Sequence, residues 1–126
     1  MTEIQESIYV IGIVGKRRSG KSTLARKIES PNHLLVKIFD EVSEIPENLI
    51  YSARHHGLLV IWTRQCYNSG RRFVLEKTDL IYADVNLPKR EMEKIREHFP
   101  FYLGSEYGHK TTFSIFGRNN CCNSAN

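Results

Sequence analysis

The run Val14-Gly15-Lys16-Arg17-Arg18-Ser19-Gly20-Lys21-Ser22-Thr23 sets two glycines, a lysine and two hydroxyls at the spacing G-x-x-x-x-G-K-[ST]. That spacing is suited to one task, the cradling of a phosphate chain. Gly15 and Gly20 allow the backbone to curl until several N–H groups converge on an anion. Lys21 carries a positive charge to the β- and γ-phosphates, and Ser22 offers a hydroxyl to Mg²⁺. A helix beginning at the second glycine aims its positive end at the same anion. Residues Gly15, Lys16, Arg17, Arg18, Ser19, Gly20, Lys21, Ser22 and Thr23 are therefore the expected nucleotide-binding set. The basic triplet Lys16-Arg17-Arg18 suits nucleotide, nucleic acid or plain solvent.

A second signal is Asp40-Glu41, two acids closing the apolar run Leu34-Leu35-Val36-Lys37-Ile38-Phe39. A strand ending in acids looks like a Walker B element. Asp40 would hold Mg²⁺ through water, and Glu41 would orient and deprotonate the attacking water. Phosphoryl transfer asks a protein mainly to place charge where charge develops. Acids also cap turns after strands, and the stretch between the loop helix and Asp40 is short. Leu34–Asp40 therefore also reads as an ordinary second strand that leaves the catalytic acid unassigned.

Such residues need a frame. Apolar residues from Ile8 to Val14 predict a buried strand leading into the loop. Leu24, Ala25 and Ile28 give a helix over Gly20–Glu29 one apolar stripe, stopped by Ser30-Pro31-Asn32. Strands follow at Leu34–Phe39, Leu58–Trp62 and Leu80–Val85. Helices follow from Pro46 to His56, with Gly57 at the cap position, and from Pro88 to Phe99, ended by Pro100. Tyr67–Lys77 holds a Gly-Arg-Arg turn and a short element with Phe73, Val74 and Leu75. Thr111–Phe116 alternates like a last strand. This order predicts an α/β P-loop fold, with a mostly parallel sheet of about five strands and helices on both faces. Ligands then bind at the carboxyl ends of the strands, where the loop, Asp40-Glu41 and Gln65 all fall. Residues 1–118 are expected to form a single domain, and 119–126 a loose polar tail.

The composition agrees with a globular chain: 126 residues, 40% hydrophobic and 25% charged. A net charge of +4 and a pI near 9.1 permit a polyanionic partner without demanding one. Three cysteines, Cys66, Cys121 and Cys122, make neither a disulfide framework nor a zinc set, and suit a reducing cytoplasm. The adjacent His55 and His56 point in different directions on a helix and make a poor metal pair. The N-terminal residues are acidic and polar, unlike a signal peptide, and no apolar run approaches a membrane span.

The run Ala53-Arg54-His55-His56-Gly57-Leu58-Leu59-Val60-Ile61-Trp62-Thr63-Arg64-Gln65 resembles one region of the FtsK–HerA-type ATPases, a class that includes viral genome-packaging ATPases. Members show an Arg-His/Lys-x-Gly run, an apolar strand and a polar tip ending in Gln. The stretch from Asp79 through Pro88 into Arg90-Glu91-Met92 is also similar, and the likeness spans about Tyr9 to Phe99. It implies an ATP- and Mg²⁺-dependent ATPase working as a homo-oligomeric ring on double-stranded DNA, with a capsid protein as a further partner. Its location would be the host cytoplasm or the virion, away from membranes. Arg54 would be an arginine finger reaching a neighbour's γ-phosphate, and Gln65 a sensor of phosphate or water. Lys21, Glu41, Arg54 and Gln65 would form the catalytic set. A cation at the end of a helix also satisfies the helix dipole, and Arg64, Arg71 and Arg72 are rival fingers. Two other classes share the loop: a small P-loop kinase, and an ATP-binding assembly protein with little turnover.

Overall fold

The computed structural model describes residues 8–28, 33, 35–40, 45–67, 72–108 and 110–118. Alternation of strand and helix runs through most of them: β1 (Val10–Val14), α1 (Lys21–Lys27), β2 (Leu35–Phe39), α2 (Glu47–His56), β3 (Leu58–Arg64), α3 (Arg72–Lys77), β4 (Leu80–Asp84) and α4 (Lys89–His98). A hairpin of β5 (Phe101–Tyr107) and β6 (Thr112–Gly117) follows.

One six-stranded sheet takes the order β2-β3-β1-β4-β6-β5. The first four strands in that order are parallel, and the hairpin joins β4 antiparallel through β6. β1 and β4 are buried at every position, as a strand covered on both faces must be. Their side chains alternate between two cores. One holds Val10, Val14, Val60, Trp62, Ile81 and Ala83 beneath Ile50 and Ala53 of α2, Val74 of α3 and Ile95 of α4. The other holds Ile11, Ile13, Leu59, Ile61 and Tyr82 beneath Leu24 and Ala25 of α1.

Helix ends follow local chemistry. Pro46 precedes the first turn of α2, and Gly57 closes it with φ 64°, a left-handed turn that glycine adopts without strain. α1 is shorter than its apolar stripe predicts, because Gly20 is its N-cap and Ile28 already has extended backbone. The short element expected in Tyr67–Lys77 is the helix α3 at the end of that stretch, and β5 is a strand that periodicity did not signal. The sheet has six strands where about five were expected. Ser30-Pro31-Asn32, Glu41, Arg71 and the 119–126 tail lie outside the described residues. Among the described residues no helix is long and apolar enough to cross a membrane.

Candidate functional site

β1 delivers the chain to the middle of the carboxyl edge of the sheet, with β3 on one side and β4 on the other. The ladder continues one residue past the strand, where the Gly15 amide donates to the Arg64 carbonyl at 3.0 Å. A side chain at Gly15 would be crowded. A Cβ there would stand 2.6 Å from Ser19 Oγ, 3.1 Å from Asp84 Cβ and 3.2 Å from the Phe113 ring. The loop then turns back on itself. The Lys16 carbonyl accepts from the Ser19 amide at 3.1 Å and from Lys21 Nζ at 3.0 Å. Two residues take left-handed backbone, Arg18 at φ 63° and Gly20 at φ 94°.

Gly20 caps α1 without a side chain, so no residue competes for the first amides of the helix. Lys21, Ser22 and Thr23 have no carbonyl four residues back within α1 to receive their N–H groups. Lys16, Arg17, Arg18 and Ser22 are exposed, whereas Ser19 is buried with no hydrogen-bond partner for its hydroxyl. Partial burial pulls the Lys21 ammonium below the usual lysine value of 10.5, and the negative charge of Asp84 opposes that shift. A phosphate group fits this arrangement. A Cβ on its first glycine would be crowded, its helix start carries unspent N–H groups, and Lys21 is held against the loop's own backbone.

Register puts the other groups on the same edge. Asp40 follows Phe39, which pairs with Trp62, so Asp40 stands level with Thr63 on β3 and Ile13 on β1. Thr63 Oγ1 donates to the Asp40 carbonyl at 3.1 Å, tying the ends of β2 and β3 together. Gln65 follows Arg64, and Asp84 follows Ala83. Both Arg64 and Ala83 pair with Val14, so Gln65, Gly15 and Asp84 lie at one level. Asp40 and Gln65 are exposed. The strand bearing Asp40 is next but one to β1, with the strand bearing Gln65 between them.

Arg54 is not at this edge. It sits in the last turn of α2, just before β3 begins, at the far end of the sheet from the loop. Traversing β3 covers about 20 Å at a strand rise of ~3.3 Å per residue. Arg72 opens α3, and Arg64 is half-buried at the end of β3.

Among the described residues no cluster of three His, Cys, Asp or Glu side chains is placed to cage a metal. Mg²⁺ that arrives with a nucleotide needs only one or two protein ligands besides phosphate. The Ser22 hydroxyl and the Asp40 carboxylate suit that cation by their oxygen chemistry.

Sequence reasoning passed over Asp84. Only 1% exposed, it receives the Lys16 amide on Oδ2 at 3.3 Å and the Asn86 amide on Oδ1 at 2.8 Å. The signal was present: Leu80-Ile81-Tyr82-Ala83-Asp84 is an apolar strand ending in an acid, the same pattern that drew notice at Asp40.

No protein-family model matches the chain, and no curated protein matches it in sequence. Among solved structures it is similar to the genome packaging NTPase B204 from Sulfolobus turreted icosahedral virus 2, in complex with ATP-γ-S. The TM-score is 0.53 at 14% identity, covering 75% of this chain and 83% of that one. The likeness shows the fold, an α/β sheet of the P-loop NTPase kind with helices on both faces.

Proposed function

We propose that this protein is an ATP-hydrolysing motor subunit of the FtsK–HerA type, which works as an oligomer on double-stranded DNA in viral genome packaging. The observation that carries the reading is the common edge. A glycine-gated loop holding Lys21, an exposed acid after β2 and an exposed glutamine after β3 all lie at the carboxyl ends of the parallel strands of one sheet. The likeness to a viral genome packaging NTPase in complex with an ATP analogue supports the same direction.

Each residue then has a task. The loop amides and Lys21 grip the β- and γ-phosphates. Ser22, and Asp40 through water, would hold the Mg²⁺ that accompanies ATP, and that ion would neutralise phosphate charge. Glu41 takes the proton of a water whose oxygen attacks the γ-phosphorus. The bond from that phosphorus to the β–γ bridging oxygen breaks, and ADP leaves. Gln65 senses whether the γ-phosphate is present. Arg54, remote from its own loop, serves the site of a neighbouring subunit, where such a finger is worth roughly 10³–10⁵ in turnover.

Two variants separate binding from chemistry. Glu41→Gln is expected to bind ATP and release no phosphate, whereas Lys21→Ala loses ATP binding itself. Unchanged hydrolysis in Glu41→Gln removes Glu41 as the base. ATP binding without turnover in the unaltered protein selects an assembly role, and phosphate transfer to a small acceptor selects a kinase.

A further inference from the structure

A carboxylate buried to the extent of Asp84 is costly unless its oxygens are bonded. Its Oδ1 is accounted for by the local turn. It accepts the amide of Asn86 two residues on, at 2.8 Å, and faces Thr111 Oγ1 at 3.5 Å. Thr111 is itself held by Asn86 Nδ2 at 3.0 Å. This is an Asx turn braced by the hairpin. A turn of that kind leaves the second oxygen unused. In this chain Oδ2 crosses to β1 and accepts the Lys16 amide, 68 residues away in sequence.

Lys16 is also the residue whose carbonyl gathers the loop, taking the Ser19 amide and the Lys21 ammonium. With its peptide planes rigid, a residue turns only through φ and ψ. Fixing the Lys16 N–H therefore limits how its carbonyl can swing. The close packing of Asp84 Cβ beneath Gly15 places the carboxylate for this contact.

We infer that Asp84 is a positioning residue for nucleotide binding. By holding the backbone of Lys16, it fixes the carbonyl that keeps Lys21 in the phosphate cradle. The inference rests on the nucleotide-binding reading of the loop.

Charge makes the test sharp. Asp84 sets a negative charge beside a site for anions, so its neutralisation should by charge alone strengthen phosphate binding. Positioning predicts the opposite sign. In Asp84→Asn, the amide oxygen still serves the Asn86 turn, but the NH₂ group meets the Lys16 N–H as donor against donor. Thr111→Val disturbs the Oδ1 side and spares the Lys16 contact.

The experiment measures ATP-γ-S affinity by calorimetry and thermal unfolding, on the full chain and both variants. The expected result is a loss of roughly tenfold to a hundredfold in Asp84→Asn, as misplacement of a binding group produces, with less than threefold change in Thr111→Val. A merely structural carboxylate would lower both melting temperatures and leave both affinities unchanged. Equal or tighter binding by Asp84→Asn overturns the inference while leaving the proposed function standing. An unaltered protein that binds no ATP-γ-S overturns both. Should Asp84→Asn fail to fold, amide hydrogen exchange on the unaltered protein decides. Protection of the Lys16 amide well above those of Arg17 and Arg18 supports the inference, and equal exchange of the three contradicts it.

Discussion

The Trp62 indole lies so close against Gly12 that a Cβ on the glycine would stand 2.3 Å from the ring. The two residues are register partners on β3 and β1. The indole reaches across the central strand, and its Nε1 donates to Thr78 Oγ1 at 3.2 Å, just ahead of β4. Gly12→Ala is therefore expected to cost about 3 kcal/mol, near the upper range for overpacking a core. The midpoint of urea unfolding measures it. A loss near zero would show that the ring has room to move.

Arg18 holds left-handed backbone at φ 63°, a conformation that favours glycine. Strain there costs about 1–2 kcal/mol, and glycine returns about 0.5–1 kcal/mol of that through greater freedom in the unfolded chain. Arg18→Gly is expected to raise stability by about 0.5–1 kcal/mol on that balance. Its ATP-γ-S affinity should fall at the same time if Arg18 belongs to the nucleotide-binding set that the loop spacing predicts. Denaturation and calorimetry on one preparation read both signs. Greater stability with unchanged affinity would leave Arg18 to solvent.

Arg54 lies at the end of α2, across the length of β3 from its own loop. On the proposed reading, Arg54→Ala and Lys21→Ala are each expected to disable hydrolysis when present in every subunit. Mixed together, Lys21→Ala protomers supply intact fingers to the intact loops of Arg54→Ala protomers. Partial recovery of hydrolysis in the mixture is the expected outcome. No recovery in assemblies that demonstrably contain both variants would remove Arg54 as a finger in trans.

Burial pushes the Tyr67 phenol up from 10.0 to about 12, with the charge of Arg118 working against the shift. Its hydroxyl shares a 2.7 Å hydrogen bond with His98 Nδ1. The folded chain keeps this proton where the unfolded chain has lost it. The stabilising contribution is thus complete below pH 10 and drains away as pH rises towards about 12. Stability of Tyr67→Phe should decline less steeply across that window, as followed by urea unfolding at successive pH values. Parallel declines would assign the loss to other groups.

Much of this architecture is written locally. The loop, the Pro46 and Gly57 boundaries of α2 and the buried strands all announce themselves by residue type and period. β5 did not, because it is an edge strand. Phe101, Tyr102 and Tyr107 are exposed, and Gly104 takes φ 130° where the register shifts. Its identity as a strand comes from pairing with β6 rather than from its own pattern. Asp84 escaped for a related reason. Its partner is a backbone amide 68 residues earlier, brought near by the β1–β4 pairing that sequence periodicity does not specify. Arg54, by contrast, was singled out on its pattern, and the fold adds its remoteness from its own loop.

Hydrolysis of ATP at sites completed between subunits has a direct readout in phosphate release per chain, measured against protein concentration with and without double-stranded DNA. Specific activity is expected to rise with protein concentration and to rise further with DNA. Absence of phosphate release throughout, or a rate per chain that is constant and indifferent to DNA, would contradict it.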